Sequence, residues 1–194
     1  MPIGIILRDV LELSRSQRES KRILATKKVM VDGRVVVDHG RGVGLMDVLT
    51  VGDNNYRCIL DINGKLRYRP IPKKEASTKL CRIINKVTIK GGKTQYTLHD
   101  GRTFLSETSN EYSTGDTLSI SLPSQEISAH HPFEVGAMAY MTGGSHVGET
   151  SKIKEIEIKR SSKPNEVVFD EFGTIASYAF VIPAAKALPL EAES

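Results

Sequence analysis

The chain has 194 residues with 27 basic and 23 acidic side chains, a formal net charge of +4. At roughly 100–200 residues per domain, this length admits one large domain or two to three small ones. Hydrophobic residues at 39% and charged residues at 26% describe a chain that folds rather than one that stays disordered. Aromatics are only 6% and Trp is absent, so no broad aromatic platform for stacking single-stranded RNA is expected. The longest charge-free apolar run, 172–185, falls short of the ~18–20 residues of a membrane-spanning helix. The opening MPIGIILRDV has no basic leader region and is interrupted by Arg8 and Asp9, so it does not read as a secretory signal. Cys58 and Cys81 stand alone, with no CxxC pair. That excludes a zinc ribbon and argues against a disulfide framework, as in a cytoplasmic protein with reduced thiols.

Charge is unevenly spread. Residues 1–60 carry 10 basic and 7 acidic side chains, residues 61–125 carry 11 and 6, and residues 126–194 carry 6 and 10. The first two thirds can meet a polyanion, whereas the last third, at net −4, does not attract one.

In chain order, IILRDVLEL over 5–13 places apolar residues at helical spacing, at positions 6, 7, 10, 11 and 13. Ser16 followed three residues later by Glu19 is a capping box, which predicts a second helix running to Ala25 or Thr26. On that helix Arg15, Arg18 and Arg22 gather on one side and Ile23 and Leu24 on the other. VMVDGRVVV over 29–37 flanks Asp32-Gly33 with β-branched runs, the signature of a type I′ hairpin. VGLMDVLTV over 43–51 reads as a turn and a strand. Asn63-Gly64 is a turn, and Pro70, Pro72 and the stretch 73–77 read as a linker. Beyond it the chain turns to β-structure. A second hairpin pivots on Gly91-Gly92, Asp100-Gly101 makes a further turn, and Leu118, Ile120 and Leu122 alternate up to Pro123. His130-His131 precedes Pro132 in an expected surface loop. Phe133–Met141 reads as a strand, Ile153, Ile156 and Ile158 continue the apolar pattern, and Ser177–Ile182 is the last firm strand. Short strands joined by glycine turns suggest a small barrel.

Catalytic patterns are weak. His39, His99, His130, His131 and His146 sit in none of the HExxH, HxE or GxSxG contexts. Gly143-Gly144 is not followed by GK[ST], and Gly40, Gly42 and Gly44 do not form GxGxxG, so no mononucleotide or dinucleotide site is expected. Three arginines on one helix face can hold phosphate oxygens bidentately, and Lys27, Lys28 and Arg34 extend the positive surface into the hairpin. The same pattern also suits a merely solvated helix face.

The segment RESKRILATKKVMVDGRVV resembles the two-helix and hairpin RNA-binding module first seen in ribosomal protein S-four. VGLMDVL (43–49), GGKTQYTLHDGR (91–102) with TGDTLSISLP (114–123), and HPFEVGAMAYMTGGSHVGE (131–149), in this order, resemble the archaeal and eukaryotic small-subunit ribosomal protein family S-four-e. The last of these looks like a KOW motif of a Src-homology-three-like barrel. The resemblance implies a non-enzymatic, multi-module α+β chain. Residues 1–62 would form the helix–hairpin module, 63–125 a central β-rich module, and 126–194 a KOW barrel with a C-terminal tail.

It implies a structural constituent of the small ribosomal subunit, in the cytoplasm. The partners would be small-subunit rRNA and neighbouring ribosomal proteins, with no membrane, small-molecule substrate, metal or cofactor. Arg15, Arg18, Arg22, Lys27, Lys28 and Arg34 would neutralise rRNA phosphates, with Lys73, Lys74, Lys90 and Lys93 as secondary contacts. Gly33, Gly143, Gly144 and Gly148 would serve turn geometry. The alternatives are a KOW-bearing transcription or translation factor, or an RNA-modifying enzyme with an RNA-binding module. The β-rich remainder after residue 60 fits the enzyme poorly.

The sequence departs from the family pattern at several points. Family members usually carry a basic arm before the segment matching PIGIILRD, which opens this chain. Lys27 stands where Gly is common, so an altered turn is expected there. Gly42 replaces a usual Pro, giving a looser approach to the strand. Ser145 and Ser151 replace a common Lys and Gly, which weakens the KOW loop as an RNA contact.

Overall fold

Ile3, Ile6 and Leu7, one turn apart and fully buried, drive the first element into the core. A computed structural model describes residues 1–108, 111–160 and 162–183. Its first helix, α1 (Ile3–Ile5), runs on as a π-helical stretch over Ile6–Val10. The helix expected over 5–13 thus begins and ends earlier. Val10 and Leu13, expected on the apolar face, are 37% and 46% exposed; Leu13 lies beyond the helix, which ends at Val10. Helix α2 (Gln17–Ala25) matches its predicted bounds.

Strands β1 (Val29–Val31) and β2 (Arg34–Val35) form the expected hairpin, with Val31 opposite Arg34. Asp32 and Gly33 take φ of 52° and 75°, the paired left-handed residues of a type I′ turn. Strand β3 (Val48–Val51) pairs with β1 and with β4 (Asn54–Leu60), and β5 (Leu66–Ile71) closes the five-stranded order β2-β1-β3-β4-β5. The linker expected from Pro70 to Ser77 is therefore corrected. Pro70 lies in β5, an edge strand where a missing N–H is tolerated, and α3 (Lys73–Ala76) follows.

Strand β6 (Thr78–Thr88) and β7 (Thr94–Leu98) make the second hairpin, and β8 (Thr103–Ser106) follows the Asp100-Gly101 turn. With β9 (Thr117–Ser121) and β10 (Ile127–His131) they form a sheet of order β10-β9-β6-β7-β8. His130 and His131 thus lie in a strand rather than a loop. Their side chains bond Asp116 and Ser119, contacts that adjacency to Pro132 does not reveal. Strand β11 (Met138–Met141) is only the second half of the strand expected from Phe133, since Phe133 is instead held by its N–H to Asp116 Oδ1.

Then come β12 (Thr150–Lys152), β13 (Glu155–Glu157), β14 (Glu166–Val168), β15 (Gly173–Ile175), a 3-10 turn at Ala176–Tyr178, and β16 (Ala179–Ile182). They build two three-stranded sheets, β12-β11-β16 and β13-β14-β15. Ile158, expected to continue the apolar pattern, is 76% exposed. The fold is mostly β-sheet, with α-helix confined to three short segments among the described residues.

The chain falls into two compact units. One comprises Met1–Ile59, Leu66–Lys79 and Ile120–Glu126. The other comprises Leu60–Lys65, Leu80–Ser119 and the described residues from Ile127 on. The first is centred on Ile3, Ile6, Leu7, Leu24, Val29, Leu49 and Cys58. The second contains the cluster of Ala139, Met141, Ile153, Val167, Phe169 and Ala179. Among the described residues no helix is long and apolar enough to cross a membrane.

Candidate nucleic-acid interface

Helix α2 starts where the Glu19 N–H donates to Ser16 Oγ (3.3 Å) and Glu19 Oε2 accepts from the Arg15 N–H (2.8 Å). The carboxylate reaches one residue further back than in the usual capping box, but it satisfies the same kind of orphan donor. Leu24 and Ser20 are buried beneath the helix, and Arg15, Arg18, Lys21 and Arg22 are exposed. Lys21 is a cation that the face reasoning left out.

The helix stops at Thr26, whose Oγ1 donates to the Ile23 carbonyl, and the Lys27 N–H donates to the Leu24 carbonyl. Lys27 takes φ 59°. The altered turn expected from a lysine in place of glycine is therefore not found. The left-handed turn is kept, and the lysine bears its strain. Lys27 and Lys28 are exposed, and Arg34 projects from the exposed strand β2.

Lys73 and Lys74 are exposed on α3, in the same unit as the helices and the first hairpin. The buried Arg57 holds the end of that helix, its Nη2 donating to the carbonyls of Glu75 and Thr78 at 2.8 Å each. Burial pulls the Arg57 pKa below its usual value, opposed by the charges of Glu75 and Asp32. Lys90 and Lys93 belong to the second unit, at the turn between β6 and β7. Lys93 is ion-paired with Glu107 at 2.8 Å, so its charge is partly spoken for.

The four glycines divide by cause. Gly33, Gly144 and Gly148 take φ of 75°, 82° and 85°, whereas Gly143 is not left-handed. Gly143 is instead required by close approach, since a Cβ there would lie 2.8 Å from Tyr178 Cδ1. A Cβ at Gly148 would lie 2.6 Å from the Asp61 carbonyl carbon.

His130 and His146 are engaged by other side chains of the fold. His130 Nε2 is 2.8 Å from Asp116 Oδ2, and His146 stacks on Phe172 with ring centroids 3.8 Å apart. Among the described residues no group of three or more His, Cys, Asp or Glu side chains is placed to hold a metal. Both cysteines are buried, and burial pushes the Cys58 thiol up to about 11.

The sequence profile of the ribosomal family S4e matches residues 52–127. The chain is 44% identical over 196 residues to the small ribosomal subunit protein eS4 of Methanocaldococcus jannaschii, covering 94% of this chain and 79% of that protein. It is 44% identical over 190 residues to eS4 of Methanothermobacter thermautotrophicus, covering 94% and 77%. The crystal structure of the 30S ribosomal protein S4e from Thermoplasma acidophilum superposes with a TM-score of 0.85 at 38% identity, covering 95% of each chain. Near-complete coverage at this identity, together with the shared fold, establishes that the chain belongs to the ribosomal protein family S4e.

Proposed function

We propose that the chain is a structural constituent of the small ribosomal subunit, binding rRNA through its first unit and neighbouring ribosomal proteins elsewhere. One observation carries the rRNA reading. Arg15, Arg18, Arg22, Lys27, Lys28, Arg34, Lys73 and Lys74 are all exposed, and no carboxylate partners their side chains among the described residues. Unpaired cations on capped and hydrogen-bonded elements hold their charge for an external polyanion. Recognition is of backbone and shape, because double-stranded RNA hides its base edges in a deep, narrow groove.

We read three functional modules here: the helix–hairpin module over 1–62, a central β module over 63–125, and a KOW-type barrel with a C-terminal tail over 126–194. The negative charge of the last segment suits contact with basic protein surfaces better than with phosphate. The site of action is the ribosome, and an RNA-modifying role is set aside by the family itself.

The test is a triple Arg15→Ala, Arg18→Ala, Arg22→Ala variant bound to small-subunit rRNA across a salt series. Losing three phosphate contacts lowers the slope of log K against log salt by about 2–3. The melting temperature should hold, since the three side chains are exposed. A folded variant with an unchanged slope refutes the assignment.

A further inference from the structure

Lys79 is 1% exposed, yet its amine sits between two carboxylates. Its Nζ donates to Asp32 Oδ2 at 2.8 Å and to Asp47 Oδ1 at 2.6 Å. Asp32 is the first left-handed residue of the type I′ turn that delivers Arg34. Its other oxygen accepts the Val48 N–H at 3.0 Å, and its own N–H donates to the Val48 carbonyl. Asp47, just before β3, uses its second oxygen to accept the Gly44 N–H at 2.7 Å. The segment that carries Lys79 is held in turn by Arg57, which donates to the carbonyl of adjacent Thr78.

One buried ammonium therefore joins the hairpin turn, the loop before β3 and the start of β6. Remove it, and two carboxylates 7% and 14% exposed lose the cation between them. Removing one partner of a buried ion pair is strongly destabilising at that site. Asp32, at φ 52°, is the turn residue that Lys79 holds directly.

We propose that Lys79 is a positioning residue for rRNA binding: from inside the fold, through Asp32, it fixes the β1–β2 hairpin so that Arg34 meets a phosphate. The inference rests on the rRNA-binding reading of Arg34. Lys79 itself is too buried to touch RNA, so any effect it has on binding must be relayed.

The experiment is a double-mutant cycle on the full chain with transcribed small-subunit rRNA as the probe. Arg34→Ala weakens binding several-fold in the wild-type background. In a Lys79→Met background, where the hairpin is already displaced, it weakens binding by less than about twofold. Arg18→Ala, on the independently capped α2, stays additive with Lys79→Met to within about twofold. A loss of global stability alone would not single out Arg34. Should Lys79→Met fail to fold, Asp32→Asn goes through the same cycle. Asn tolerates the left-handed turn and still accepts the Val48 N–H, losing only the charge that Lys79 holds.

Additive losses with Arg34→Ala, or binding unaffected by both Lys79→Met and Asp32→Asn, overturn the inference alone. An Arg34→Ala change silent in the wild-type background removes the rRNA reading of Arg34, and the inference with it.

Discussion

Lys27 separates charge from backbone strain at one position. It ends α2 at φ 59°, where an L side chain crowds the following carbonyl. Replacing it with glycine relieves about 1–2 kcal/mol of that strain. The greater freedom of glycine in the unfolded chain returns about 0.5–1 kcal/mol. The net gain is about 0.5–1 kcal/mol, or about 1–4 °C in Tm for a chain of this size. Lys27→Ala removes the same charge but keeps a Cβ at the strained φ, so its stability stays near that of the wild type. Thermal unfolding followed by circular dichroism compares the three chains, and rRNA binding is measured alongside. The expected pattern is a Tm raised for glycine only, with affinity lowered equally for glycine and alanine. A glycine variant no more stable than the alanine variant refutes the left-handed turn. An affinity lowered in neither refutes Lys27 as a phosphate contact.

Gly148→Ala combines a left-handed φ of 85° with a Cβ pressed to 2.6 Å from Asp61 backbone, so it should lose about 2 kcal/mol or more, with no rescue from Tyr178→Ala. A Cβ at Gly143 meets the Tyr178 ring, 38% exposed, as its nearest neighbour, so Tyr178→Ala should rescue Gly143→Ala; urea unfolding of both pairs checks this contrast. The buried Cys58 thiol, raised from 9.0 to about 11, binds its proton more tightly in the folded state than in the unfolded chain. Its contribution is therefore complete below pH 9 and lost as pH rises through about 11. Denaturant titrations from pH 8 to 11 should show an alkaline fall in stability that Cys58→Ala reduces, and an equal fall in both chains would contradict the buried thiol.

What was legible in the sequence was local. Asp32-Gly33, Asn63-Gly64 and Asp100-Gly101 mark turns because positive φ is a demand on one or two adjacent residues, and the Ser16/Glu19 box begins α2 for an equally short-range reason. Elements set by distant partners were not legible. Pro70 reads as a linker until β5 is seen to be an edge strand, and His130-His131 reads as a loop until Asp116 and Ser119 are seen opposite. The basic residues show the same divide. Arg18 and Arg22 were placed on an outer face by helical spacing, and they are exposed. Lys79 is buried between carboxylates contributed 47 and 32 residues earlier in the chain, whereas Lys73 and Lys74 are exposed, and no local pattern reveals the difference.

The most direct test of the central claim is sedimentation of native cell extract through a sucrose gradient after a high-salt wash, with this chain quantified in every fraction. A structural constituent of the small subunit co-migrates with it in one-to-one stoichiometry with the other small-subunit proteins. Release into the light fractions, or sub-stoichiometric association, would contradict the account.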